Sequence, residues 1–364
     1  MSEPVGSQGR SASSSPGLPG TAASPAPPIR FATGTTVKDF DWYRRWLGVA
    51  EACGFEMLTT GDSQSLWADP FVSMAVAAEH TVGPRLGITV SNPMTRHPAV
   101  VASSLVALQG LSGGRMVYGL STGDSALRTI GVRPARLAEL EAFGRAVKGL
   151  CAGETVTWRG TELALRWGSY PVPLWMAAEG PRTQELAGRI ADGVILSNAL
   201  DGDVMAQARA NVAAGAASVG RSMDDIEIWC MAAVCLADSE RAGVDKLRFL
   251  LAGTANHVYR FHMDGKGVPE EHRQSLAILQ DRYDSRHHAT PETAGGNAEL
   301  VEELGLVDFL AGRSVIAGPP EHCVQRIRQM AEAGATNLIV SQFVNDPFDF
   351  MRVFAEDIRP AFGN

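Results

Sequence analysis

From Ile29 onward, short runs rich in Val, Ile, Leu and Phe alternate with longer stretches whose apolar residues recur at helical spacing. Residues 31–34 predict a first strand. Behind it, Asp39 followed by Trp42, Trp46, Val49 and Cys53, with Gly54 next, predicts a helix. The Asp carboxylate can cap free N–H groups at its start, and glycine accepts the left-handed conformation at its stop. Strands are expected at 55–60, 85–90 and 115–120. Helices are expected at 70–80, 98–109 and 134–150, each opened by a proline whose missing N–H is harmless in a first turn. Residues 154–167 break the rhythm as a small hairpin. It resumes with strands at 173–177, 193–196, 226–236 and 337–340, and with helices at 181–190, 204–219, 239–251, 321–333 and 348–358.

Eight strands alternating with helices predict an α/β fold, read as one (β/α)8 TIM barrel over residues 29–364. An open doubly wound sheet has the same alternation, but the GxGxxG that a dinucleotide fold needs is absent. Residues 253–312, after the seventh strand and its helix, read as a polar, partly helical lid insertion. Residues 1–28, mainly Ser, Gly, Pro and Ala, hold too little apolar surface to offset their ordering entropy and predict a disordered N-terminal extension.

Charge and composition then remove function classes. The chain has a formal net charge of −8 and no basic stripe, which argues against a nucleic-acid partner. It has no uncharged apolar run of the ~18 residues that span a bilayer and no secretory-type apolar segment near its start, so a cytoplasmic protein without membrane contact is expected. Cys53, Cys151, Cys230, Cys235 and Cys323 are scattered without CxxC spacing, as reduced, buried thiols would be.

Three stretches carry a family resemblance: SNPMTRHPAVVASSLVALQGLSGGRMVYGLSTGDSAL at 91–127, VPLWMAAEGPRTQELAGRIADGVI at 172–195, and GATNLIVSQF at 334–343. Together they resemble the bacterial-luciferase-like oxidoreductases, whose members use FMN or the deazaflavin F420. The run NPMTRHP is similar to the F420 branch typified by methylenetetrahydromethanopterin reductase. The resemblance covers residues 29–360 apart from the insertion. It implies a flavin-type cofactor in the barrel mouth, a small-molecule substrate, and a homodimer with the helices beside the second and third strands in contact.

Chemistry in such a barrel belongs at the C-terminal strand ends, where the βα loops converge. After the second strand stand Asp62 and Ser63; the family often has Asp-His here, so Ser63 takes the His place. Asp62 can contact substrate or a ring edge, or simply make a turn bond. At the third strand end the resemblance implies a non-proline cis peptide at Thr89–Val90, against which the ring would lie. Asn92 offers an amide suited to a pyrimidine edge, or an Asn-Pro turn. At the fourth, Thr122 and Gly123 let backbone approach a flat ring. The resemblance aligns Asp124 with an acidic residue beside substrate. To act as an acid near neutrality it needs a pKa raised by burial; the alternative is an N-cap.

After the fifth strand, Ala178, Glu179, Gly180, Pro181, Arg182 and Thr183 open a helix whose N–H groups suit the phosphate of FMN or F420. Arg182 adds charge, whereas Glu179 must point away. Arg96, Arg128 or Arg182 would meet the anionic tail of F420. His257, His262, His272, His287 and His288 in the insertion fit no zinc spacing, so no metal is expected, and the insertion reads as a water-excluding lid. His97 reads as structural or as a group at the phosphate end. Trp175 reads as barrel filler.

The leading expectation is an F420-dependent oxidoreductase in which Asp62 and Asp124 contact substrate or move a proton, while the cofactor-binding set is Thr89, Val90, Asn92, Thr122, Gly123, Ala178, Glu179, Gly180, Arg182 and Thr183. The rivals are an FMN-dependent monooxygenase acting with O2, and a flavin-binding barrel without catalysis, which only Ser63 supports.

Overall fold

The computed structural model describes Met1, residues 28–284 and residues 295–363. The expected disorder of the first 28 residues falls almost wholly outside the described residues, as do His287 and His288. Eight strands form the barrel: β1 Arg30–Gly34, β2 Met57–Thr60, β3 Arg85–Ser91, β4 Met116–Leu120, β5 Leu174–Ala177, β6 Gly193–Leu196, β7 Glu227–Leu236 and β8 Asn337–Gln342. Each pairs in parallel with the next, and β8 returns to β1 with Arg30 opposite Asn337. That last pairing closes the ring and rules out the open sheet.

The expected punctuation is visible. Asp39 Oδ1 accepts from the Trp42 N–H at 2.8 Å at the head of the helix Phe40–Ala52, and Gly54 follows it at φ +74°. Val156–Trp158 and Thr161–Leu163 form the antiparallel hairpin. All five cysteines are buried and free. No helix among the described residues is long and apolar enough to cross a membrane.

Inside the barrel, Ala32, Met57, Val117, Trp175, Ile195, Trp229 and Ile339 interlock as one apolar cluster. Trp175 is fully buried with its ring tilted against Trp229, centroids 5.4 Å apart, so it does fill the barrel. Gly193 makes the room, since a Cβ there would sit 2.6 Å from the Trp175 ring nitrogen. Below the tryptophans, Glu227 accepts from Arg30, Arg85 and the Trp229 indole N–H. Large rings and this ion cluster stop the N-terminal end, which leaves the opening at the C-terminal strand ends.

The insertion differs from expectation. The helix predicted to stop near residue 251 runs on as Glu240–Tyr259, and helices Glu270–Arg282, Gly295–Glu303 and Val307–Ser314 follow. The segment is helical, as expected in part, but not simply polar: Leu247, Leu251, Leu276, Leu279, Leu306 and Leu310 bury one another in a second core. A further strand, Val315–Gly318, pairs with the upper half of β7, beyond the barrel rim.

Candidate active site

At the C-terminal strand ends the barrel opens into a mouth of about 330 Å³. Val90, Ile195, Met231 and Ala233 face it from the strands, and Leu250, Leu251 and His257 face it from the helix Glu240–Tyr259. A second cleft of about 250 Å³ adjoins it, lined by Thr122, Gly180, Arg182, Thr183, His262 and Lys266. Ala177, Glu179 and His257 line both, so the two form one bent site. A larger groove of about 920 Å³ lies between the helix Leu137–Cys151 and the hairpin and shares no lining residue with the mouth. Its volume is greater, but the strand-end loops converge elsewhere, and chemistry follows the loops.

Of the residues expected here, the structure brings Thr89, Val90, Thr122, Asp124, Glu179, Gly180, Arg182 and Thr183 to this bent site. The Thr89–Val90 peptide is cis. Asp62, Asn92, Gly123 and Ala178 do not line it. Asp62 is buried behind the strand ends, where Oδ2 accepts from Ser91 Oγ at 2.6 Å and from Arg96 at 2.5 Å. Arg96 also binds Asp69, which caps the helix Pro70–His80, so it is consumed in joining loops and is not available to a cofactor tail. Asn92 Oδ1 accepts from the N–H groups of Met94 and Thr95, the turn use of its amide. Gly123 adopts φ +90° and its carbonyl accepts from Arg260. Ser63 bonds Ser125 Oγ at 2.5 Å.

Two electrostatic expectations are corrected. Asp124 does not carry a raised pKa. Burial alone would raise it, but the His257 hydrogen bond and the charges of His257, Arg260 and Arg128 outweigh burial and hold the carboxyl far below its ordinary range. It is a fixed anion with no proton to give. Nor does it cap the short helix Ser125–Arg128 through its side chain. Glu179, expected to point away, lies at the junction of mouth and cleft. Its Oε1 accepts from Ser197 N–H at 2.9 Å and Ser197 Oγ at 2.5 Å, while Oε2 is buried and meets no partner among the described residues. The Lys266 ammonium on the cleft wall is the cation that its charge acts on.

The sequence reading missed Arg260, Lys266 and Ser197 and gave His257 no role beyond the lid. Three of the four lie past the expected helix stop, so nothing in the local pattern aimed them at the mouth. His97 caps the helix Pro98–Leu111 through Nδ1, the structural role. His272 packs against Phe309 with the rings tilted and centroids 4.4 Å apart.

The family model described as luciferase-like monooxygenase matches residues 23–337. The 5,10-methylenetetrahydromethanopterin reductase of Methanolobus tindarius is 27% identical over 80% of this chain and 87% of its own. An F420-dependent glucose-6-phosphate dehydrogenase of Beutenbergia cavernae is 28% identical over 86% of this chain and 90% of its own. Among solved structures, the coenzyme F420-dependent tetrahydromethanopterin reductase from Methanopyrus kandleri superposes with a TM-score of 0.72 at 21% identity, over 92% of this chain and 99% of that one.

Proposed function

Since this chain belongs to the luciferase-like monooxygenase family, we propose that it is an oxidoreductase that uses F420 to move a hydride to or from a small organic substrate. The observation that carries this reading is the bent site itself: an apolar slot beside Thr89–Val90 that continues into a polar cleft at a helix N-terminus. The name of the Beutenbergia cavernae relative, an F420-dependent dehydrogenase, favours the same cofactor.

The residues fit such a group on three counts. Val90, Ile195 and Met231 offer apolar contact to a flat ring. Thr89 Oγ1 and Glu179 Oε2, on residues that line the mouth, are buried polar atoms with no partner among the described residues, which a ring edge would supply. A Cβ on Gly180 would sit 3.2 Å from the Lys266 side chain and 3.3 Å from that of His262, so glycine keeps the cleft uncrowded for a phosphate beside the helix Pro181–Ile190. When bound, F420 supplies a carbon that gives or takes hydride. The chain's part is to hold the ring, exclude water with the helices of the insertion, and position charge.

The family's description as monooxygenases keeps one rival: reduced FMN reacting with O2 in the same slot. We further infer a homodimer through the helices Pro70–His80 and Pro98–Leu111, which expose Val72 and Val100. Sedimentation as a monomer would refute it. Titration of the apoprotein with F420 and with FMN, read by cofactor fluorescence, tests the cofactor. Saturable F420 binding, weakened about tenfold or more (1.4 kcal/mol) in Gly180→Ala, is expected. Tight FMN binding with substrate-linked O2 uptake, and none of F420, would replace the reading.

A further inference from the structure

We propose that His257, carried on the helix Glu240–Tyr259 rather than on a barrel loop, is the proton donor and acceptor for the substrate, with Asp124 as its positioning carboxylate. This rests on the F420 reading above, because it assigns the proton that must accompany a hydride.

The geometry is that of an oriented imidazole. Nδ1 of His257 donates to Asp124 Oδ2 at 3.0 Å. The other carboxylate oxygen of Asp124 is taken by Arg128 and by Arg260 at 2.6 Å, so the acid is anchored at one end and aims its free oxygen at the ring. An imidazole tied through Nδ1 to a fixed carboxylate keeps its tautomer and its ring plane, and presents Nε2. Among the described residues Nε2 of His257 meets no hydrogen-bond partner, and His257 lines both the mouth and the cleft. It is also the histidine that reaches the mouth: His262 lines the cleft alone, and Ser63 lines neither.

The other candidates in the mouth are weaker. Asp124 is an anion neutralised by its neighbours and cannot donate. Glu179 has one oxygen committed to two Ser197 donors, and it stands as the rival that the experiment must separate. Asp62 does not reach the cavity.

The step balances as follows. In the reducing direction the carbonyl carbon of an aldehyde or ketone, or the β carbon of an enone, would receive hydride, two electrons with one hydrogen, from the reduced deazaflavin held in the mouth. The carbon–oxygen π bond breaks toward oxygen, or through the conjugated system, and the resulting anion takes the proton from His257 Nε2–H. A C–H bond and an O–H or second C–H bond form. Imidazolium becomes neutral imidazole and recovers its proton from water. In the oxidising direction neutral Nε2 removes the hydroxyl proton as hydride leaves for the oxidised deazaflavin.

The test uses the full chain with three readouts. First, F420 is titrated into wild type and His257→Asn; near-equal affinity is expected, and no binding to wild type would defeat the cofactor reading, not this one. Second, diethyl pyrocarbonate modification is mapped by mass spectrometry with and without F420. His257 should react at Nε2 in the free protein and be shielded by bound F420, with His80 unchanged as the exposed control. Third, reduced F420 is offered with a panel of aldehydes and cyclic enones. His257→Asn should slow turnover about 10²–10⁴-fold, and added imidazole should restore part of it to His257→Ala but none to Glu179→Gln. His257 equally reactive with and without bound F420 overturns the assignment, as does a His257→Asn rate near wild type with Glu179→Gln inactive. Where no panel compound is reduced, the protection result alone decides.

Discussion

Lys266 holds an ammonium beside the cofactor cleft with its side chain almost wholly out of water. Burial pushes its pKa down to about 8; Glu179 pulls it partly back and Arg260 opposes that pull. Its amine donates to the Val258 carbonyl, and no carboxylate stands within ion-pair distance among the described residues. The sign follows directly. The folded value lies below the unfolded one near 10.4, so below about pH 8 the buried charge destabilises fully. Between about 8 and 10.4 the unfolded chain binds more protons, and stability gains with rising pH. Lys266→Met is therefore expected to be more stable than wild type at pH 7, by up to roughly 3 kcal/mol before the lost bond is subtracted. Its advantage should fade as pH rises through that window. Urea unfolding at pH 7 and at pH 10 measures it, and a variant that is weaker at pH 7 would contradict it. Residue types alone could not have shown this. A lysine in a Gly-Lys-Gly run reads as a solvated loop cation, and only the fold carries it into the cleft. Asp124 is the converse: its loop position was legible, but its charge state depends on Arg260 and His257, more than a hundred positions away.

The helices Pro181–Ile190 and Gly202–Ala217 meet backbone to backbone. A Cβ on Gly188 would lie 2.1 Å from the Val212 carbonyl oxygen, and one on Gly215 would lie 2.0 Å from that of Glu185. Neither carbonyl can swing aside as a side-chain tip would. Gly188→Ala must push the helices apart, at about 1–3 kcal/mol. Because the same helix begins at the cofactor cleft, its displacement should also weaken F420 binding severalfold. Thermal unfolding and titration of one preparation check both, and an unchanged melting temperature would show that the contact is looser than described. At this scale the sequence was most readable where proline, glycine and apolar spacing agree, as at Pro181–Ile190 and Gly193–Leu196, whose expected bounds coincide with those observed. It misled where the helix from residue 239 was expected to end at 251, just ahead of Gly253. The apolar face of the helix Glu240–Tyr259 continues through Ala255, Val258 and Tyr259, and tertiary burial outweighs the cost of one glycine. The strand Val315–Gly318 was missed because four small or branched residues carry no periodicity of their own.

For the whole molecule, the alternation of strands and helices announced a parallel sheet, but only the pairing of β8 with β1 makes it a closed barrel. Closure plugs one end with Trp175 and Trp229 and gathers the loops at the other. Of the four loop residues expected to surround one cavity, Asp124 and Gly180 do so, while Asp62 and Asn92 brace the loops from behind. Turn chemistry and cofactor chemistry ask for the same side chains, so the sequence could not separate these uses. The account stands on a planar cofactor lying in the mouth with its phosphate in the adjoining cleft. A crystal structure of the protein loaded with F420 tests that directly. The ring should lie against Thr89 and Val90, within reach of His257, and the phosphate should rest beside Gly180 and Arg182. F420 found instead in the outer groove between the helix Leu137–Cys151 and the hairpin, with the mouth holding only water, would contradict the account.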